Sequence, residues 1–389
     1  MTLITGTFGW GIFLISFVCL AKSLWFFYYF SLYFFEEKKL KNEYLPKTAL
    51  VVPIYNEEKE PLIDMIKNAL KTKHIDQYVF INDGSTNDVS KIVPQYLDSR
   101  CKFIDLKKNK GKREAQIEGL KLIDNDTEVV IYIDSDTIMR PNSVLELLKP
   151  MADPLVGGVT AKILVRNRTE NFLTRCLSAM YWTSSEVWRK APSNLDYLQV
   201  TNGQLSCYKY KYLKLLSKAY ITQDFMGVRA TMSDDRWLTH HLQTDFNLKM
   251  KYASDSVAYT YVPNNIKQTF KMMCRWKRGS LRESILVLKR AKSHPLLIFD
   301  IWANHIIQLL QIVVRVGVLI TAIFYPIVLL YYMCVMIIIS LFFAYEMLWE
   351  NIKEVPFRLG YTVLNEFIFW WTLPHSIVNI RNQGKWSTR

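Results

Sequence analysis

The sequence predicts an α/β fold, a doubly wound and mostly parallel sheet held between membrane segments. Short apolar, β-branched runs alternate with helical stretches between residues 49 and 133, the pattern of βαβ units. Each of those runs ends in a polar loop carrying acids or amides. Long apolar stretches lie on both sides of this part.

Residues 1–36 read as a first transmembrane helix. Phe8 to Phe35 is apolar apart from Lys22, and about 20 residues suffice to cross a ~30 Å hydrocarbon layer. The run is too long for a signal peptide, lacks a basic n-region and meets no small-residue cleavage site. Glu36-Glu37-Lys38-Lys39-Leu40-Lys41 follows, and its positive charge places the next segment in the cytoplasm.

Residues 37–265 read as a cytosolic domain. "TALVVPIYNEE" gives a strand at Ala49–Val52, and "PLIDMIKNALKT" has Leu62, Ile63, Ile66 and Leu70 at helical spacing. "QYVFINDGSTND" is a second strand and loop, "GKREAQIEGLKLI" a helix and "EVVIYIDSDT" a third strand. Ligands of such sheets bind outside the carboxyl ends of the strands. Those ends carry Asn56-Glu57, Asn82-Asp83-Gly84-Ser85 and Asp134-Ser135-Asp136. No GxGxxG or GxxxxGK[ST] follows any of them, which excludes a dinucleotide or P-loop site.

Residues 266–294 form a basic amphipathic helix, "NIKQTFKMMCRWKRGSLRES", with Phe270, Met273, Trp276 and Leu281 along one side. It suits a membrane surface, and Arg275-Trp276 suits a phosphate pair beside a stacked sugar. Residues 295–380 hold two spans, Leu296–Phe324 and Tyr325–Tyr345, broken by Pro326. Arg315 within the first span either pairs with a neighbouring helix or lines a polar path. Tyr361–Ile380, with Glu366, Pro374, His375 and basic flanks, reads as interfacial or re-entrant. Residues 381–389 are a short tail.

The net charge of +14 comes from scattered Lys and Arg. That pattern excludes a nucleic-acid stripe and fits anionic lipid and phosphate-bearing substrates. Six cysteines without CxxC spacing fit reduced thiols and exclude a zinc site.

The acids carry the chemistry. Asp134 and Asp136 at a strand end either make an ordinary turn or hold a hard divalent cation with room left for a diphosphate. Asp83 either stabilises a Gly-containing turn or accepts from a base. Lys110, Lys112 and Arg113 crowd a helix N-terminus, where cations are disfavoured unless an anion is bound. Asp234 and Asp235 cannot both ionise cheaply without a cation. One either caps the following helix or faces substrate, and Asp235 as a general base would take a proton from an acceptor hydroxyl.

Together "VVPIYNEE", "INDGS", "GKREAQ", "DSDT", "NGQLSCYK", "SDDRWLT" and "CRW" resemble the ordered motifs of processive, membrane-embedded family-2 glycosyltransferases. "RNRTENFLTR", "RGSLRES" and the terminal "KWSTR" extend the resemblance over nearly the whole chain, and it points within that family to hyaluronan synthases and type 3 capsule synthases. The resemblance implies a GT-A-like sheet, interfacial helices and a small transmembrane bundle in the plasma membrane. It also implies UDP-sugars, a growing polysaccharide, Mg²⁺ or Mn²⁺, and a single chain that both polymerises and exports. By the same resemblance Asp83 meets the uridine, Lys112 the diphosphate, Asp134 and Asp136 the UDP and metal, and Asp235, beside Asp234, is the base. Arg275 and Trp276 meet the diphosphate and acceptor sugar, Gly203, Leu205 and Ser206 line the acceptor site, and Trp386, Thr388 and Arg389 fold over the nucleotide. Met272 replaces the usual Gln of QxxRW, and Asn202, Gln204 and Ser387 also depart from the pattern. These changes touch the acceptor and gate, so they leave the sugars open more than the reaction.

Overall fold

A computed structural model describes residues 44–382 except 291, 346 and 348–351, with scattered helical positions between Phe13 and Leu32. Most of the expected N-terminal span, and Trp386, Thr388 and Arg389, lie outside the described residues.

The strands are β1 (Thr48–Ile54), β2 (Gln77–Asn82), β3 (Cys101–Asp105), β4 (Val129–Ile133), β5 (Ile138–Met139), β6 (Val156–Val165), β7 (Leu205–Lys209), the small hairpin β8–β9 (Asp224–Phe225 and Val228–Arg229) and β10 (Lys249–Thr260). The helices that matter here are α1 (Lys59–Lys71), α2 (Lys112–Leu120), α3 (Ser143–Leu148), α4 (Phe172–Glu186), α5 (Tyr210–Thr222), α6 (Asp234–Phe246), α7 (Ile266–Val287), α8 (Pro295–Phe324), α9 (Ile327–Phe343), α10 (Val355–Phe367) and α11 (Thr372–Val378).

Eight strands form one sheet in the order β3-β2-β1-β4-β7-β6-β10-β5. The first four are parallel, as the βαβ pattern predicts. Beyond β4 the sheet is mixed: β7 runs antiparallel to both β4 and β6, and β5 antiparallel to β10, while β6 and β10 are parallel. The sheet is mixed yet mostly parallel, as expected: six of its eight strands share one direction, and β7 and β5 oppose them. β1, β2 and β4 are buried on both faces, as central strands rich in Val and Ile are. Alternate residues serve two cores. Leu50, Val52 and Ile54 pack with α1, α3 and α4, whereas Ala49 and Val51 pack with α2, α5 and α6.

Register brings the acid-bearing loops together. Ile54 lies opposite Asn82, and the Asp83 amide donates to the Ile54 carbonyl at 2.8 Å. Leu205 lies opposite Ile133, so the loop before β7 crosses the end of β4, where the Asp134 amide donates to the Gln204 carbonyl at 3.2 Å.

Among the described residues α8, 30 residues long, is the one helix long and apolar enough to cross a membrane. Phe299, Val313, Ile320 and Phe324 project from it, each more than half exposed. α9 is shorter, and the expected bundle narrows to this one candidate span. No continuous helix covers 361–380: α10, a 3₁₀ turn at Phe369–Trp371 and α11 divide it. Arg315 does not line a path. Its guanidinium forks onto Glu366 at 2.6 and 2.8 Å, and Tyr332 donates to the same carboxylate at 2.6 Å. A second cavity of about 340 Å³ lies beside this pair, among Trp25, Lys277, Gln308, Gln311, Arg358 and Asn365.

Candidate active site

A cavity of about 940 Å³ opens at the carboxyl ends of β1, β2 and β4, and is lined by Asp83, Lys110, Gly111, Lys112, Asp134, Asp136, Gln204, Arg275 and Trp276 among others. Most of the acids and cations singled out from the sequence thus meet on one wall.

Asp83 is buried, and its two oxygens accept the backbone N–H groups of Lys110 and Gly111, each at 2.8 Å. Burial still pushes its carboxyl up against those two bonds. Gly111 adopts φ +93°, a conformation that L side chains rarely take, and it delivers the chain into α2. Asp83 therefore both shapes the turn before Lys112 and faces the cavity.

Asp136 is buried, and Thr137 and Thr260 donate to its Oδ1 at 3.3 and 3.4 Å. Burial first, and Asp134 second, push its carboxyl up to about 7. A divalent cation held between Asp134 and Asp136 would relieve that strain, and two carboxylate oxygens are suitable hard donors for one that keeps water or diphosphate in its other positions. Among the described residues no cluster of three or more His, Cys, Asp or Glu forms a closed metal cage.

Lys112 ties two acid sites together. Its Nζ lies 2.7 Å from Asp134 Oδ1 and 3.1 Å from Asp234 Oδ2. Burial opposes its charge, but Asp134 and Asp234 outweigh that and raise its pKa. Burial likewise pushes Asp234 up, yet Lys112 holds it below the usual carboxylate range. Asp235 differs: burial and the Asp234 charge push it up to about 6, against the pull of Lys112. Neither Asp234 nor Asp235 is on the cavity wall itself. Asp235 stands just behind it, across from Gly203, where a Cβ would lie 3.6 Å from Asp235 Oδ2 and 3.4 Å from Lys112 Nζ.

Several expectations are corrected. Neither Asp234 nor Asp235 is the cap of α6: both lie in its first turn, and the residue before them, Ser233, sits at φ +59° with no capping bond from its side chain. Leu205 and Ser206 do not line the cavity. Leu205 is in the core of β7, and the Ser206 hydroxyl donates to the Asn202 carbonyl at 2.6 Å and lies 2.8 Å from Thr160 Oγ1. Arg113 does not line the cavity either, for it donates to the carbonyls of Tyr220, Met232 and Ser233 and lies 3.7 Å from the Glu283 carboxylate. The crowded cations at the start of α2 are balanced by protein oxygens.

Arg275 and Trp276 arrive from α7. Burial lowers the Arg275 pKa while Asp134 favours its charge. Trp276 is 37% exposed and meets Tyr181 edge-on at 6.0 Å. Tyr181, Thr231 and Glu57 also line the cavity, and Glu57 accepts from the Ser135 hydroxyl at 2.6 Å. Glu57 sits in a motif visible in the sequence, but nothing local marks Tyr181.

The model of glycosyl transferase family 2 matches residues 49–235. A hyaluronan synthase of Streptococcus pyogenes is 31% identical over 323 residues, 80% of this chain and 74% of that protein. An N-acetylglucosaminyltransferase of Azorhizobium caulinodans is 29% identical over 67% of this chain and 66% of its own. A mannosyltransferase from Pyrobaculum calidifontis, solved with GDP-Man and Mn²⁺, superposes with a TM-score of 0.69 at 17% identity, covering 95% of this chain and 97% of the other. That likeness bears on the fold alone.

Proposed function

Because the chain belongs to glycosyl transferase family 2, we propose that it is a processive, inverting polymerase of UDP-sugars, with UDP-GlcNAc and UDP-GlcA as the pair, which passes its polysaccharide through the plasma membrane. The observation that carries the reading is the lysine bridge from the strand-end acid Asp134 to Asp234, beside a carboxylate poised near 6.

Asp83 faces the uracil, and Lys112 and Arg275 face the diphosphate. Asp134 and Asp136 would hold a Mg²⁺ or Mn²⁺ ion, which when bound supplies positive charge against the leaving diphosphate. Asp235 takes the proton of an acceptor hydroxyl, whose oxygen bonds to the anomeric carbon as the bond to UDP breaks and UDP leaves with the electron pair. Cations fixed before reaction stabilise the developing charge without reorganising. Trp276, partly exposed at the cavity mouth, offers its face to the acceptor sugar. α8 and the polar cavity at Lys277, Gln308 and Arg358 support a route for the product across the bilayer.

The relatives support N-acetylglucosamine as one of the sugars, and the N-acetylglucosaminyltransferases favour a second reading, a polymer of that sugar alone. Incubation of the purified protein with UDP-GlcNAc and UDP-GlcA, singly and together, separates the readings. Polymer that needs both sugars and is cleaved by hyaluronidase supports the first. Polymer from UDP-GlcNAc alone selects the second, a single sugar on a lipid defeats processivity, and no UDP release from any sugar overturns both.

A further inference from the structure

The corner Met232–Ser233, immediately before the acid pair, is gripped from two helices. From α2, Arg113 is buried and donates to the Met232 carbonyl at 2.8 Å and the Ser233 carbonyl at 3.1 Å. From α7, Arg282 is fully buried and donates to the same Met232 carbonyl. Glu283 neutralises both arginines, at 3.7 Å from Arg113 and 2.8 Å from Arg282, and accepts from Gln223. Gly279, one turn before Arg282, lies directly on Ser233. A Cβ there would overlap the Ser233 hydroxyl oxygen and come within 2.9 Å of its Cβ.

This grip is not ordinary helix-end packing. Ser233 holds φ +59°, a conformation unfavourable for a side chain, without a capping bond of its own. Surrounding contacts must impose it, and the two guanidinium groups and the glycine surface are those contacts. The helix that supplies Gly279 and Arg282 also carries Arg275 on the cavity wall, four residues before Gly279 and on the same helical face. One rigid element therefore sets the diphosphate-facing arginine and the backbone corner from which Asp234 and Asp235 spring.

We infer that Gly279 and Arg282 of α7, with Arg113 of α2, are positioning residues that fix the Asp235 carboxylate against the sugar-nucleotide cavity by clamping the Met232–Ser233 corner. The inference rests on the proposed role of Asp235. It places the sensitivity in turnover and not in nucleotide binding, because none of the three residues needs to touch UDP.

The test uses the full-length protein in detergent, with UDP release and UDP binding measured on the same preparations. Gly279→Ala lowers kcat on the order of tenfold or more, since small misplacement of a reacting group is costly, while KM for the UDP-sugars and Kd for UDP stay within about twofold. Ser233→Gly in the Gly279→Ala background removes the overlapping atoms and tolerates the positive φ, so it restores most of the lost turnover. Arg282→Lys, which keeps the charge beside Glu283 but loses the fork, lowers kcat several-fold with UDP binding retained, and it serves should Gly279→Ala not fold. Full turnover in either Gly279→Ala or Arg282→Lys, a parallel loss of UDP binding, or failure of Ser233→Gly to rescue a folded Gly279→Ala overturns the inference. Wild-type UDP release in the same assay reports separately on the proposed function.

Discussion

Lys112 and Asp234 form a buried ion pair at 3.1 Å, and this pair divides the labour of two adjacent carboxylates. Asp234 keeps its charge because Lys112 offsets the cost of burial. Asp235 bears both burial and the Asp234 charge, so it becomes the weaker acid of the two. Two neighbours of the same type thus acquire different chemistry from one lysine.

The pH profile follows from that difference. Asp235 must be ionised to accept a proton, and its pKa stands at about 6. The rate at limiting substrate falls as pH drops through about 6, approaching tenfold per unit below it. Asp234→Asn removes the like charge that raises Asp235, so the acid limb of its residual activity moves to lower pH. A limb that stays in place contradicts the assignment of Asp235.

Lys112→Met removes the cation between Asp134 and Asp234. Turnover falls by roughly two orders of magnitude, since a preorganised cation at developing charge is worth about 3 kcal/mol. UDP binding weakens too, because Lys112 also lines the cavity. Calorimetry with UDP and a coupled assay of UDP release read both effects, and unchanged UDP affinity contradicts its place at the diphosphate.

Trp276→Phe keeps an aromatic face at the cavity mouth and Trp276→Ala does not. Loss of a stacked ring is worth about 1 kcal/mol, so the Ala variant makes markedly shorter product at nearly unchanged UDP affinity, and the Phe variant stays near wild type. Chromatographic sizing of the product checks this, and equal lengths from both variants contradict it.

Arg315 and Glu366 test the packing of the apolar helices. Both are buried and joined by a two-bond fork. Arg315→Leu or Glu366→Leu alone strands a charge and costs roughly 3 to 5 kcal/mol. The double variant costs less than either single change, measured as thermal unfolding in detergent.

Much of the site was legible in the sequence because local chemistry fixed it. The β-branched runs that became β1, β2 and β4 end in acids, and parallel register had to bring those ends to one edge. The insertion of β7 between β4 and β6 was not legible, since strand order across more than seventy residues leaves no local trace. For the same reason Leu205 and Ser206 looked like a loop lining and proved to be strand interior. The direction of Arg113 was also hidden, because "GKREAQ" shows its charge but not that Met232 and Ser233 lie opposite. Nor does the adjacency of Asp234 and Asp235 reveal which one Lys112 will claim.

Asp235→Asn is close in size to the native residue and leaves Lys112, Asp134 and Asp83 unaltered. Measured by UDP release from UDP-GlcNAc and UDP-GlcA alongside calorimetric UDP binding, this variant gives no polymer and a UDP affinity equal to that of the native protein. Normal polymer yield from Asp235→Asn would contradict the assignment of the base on which the mechanism depends.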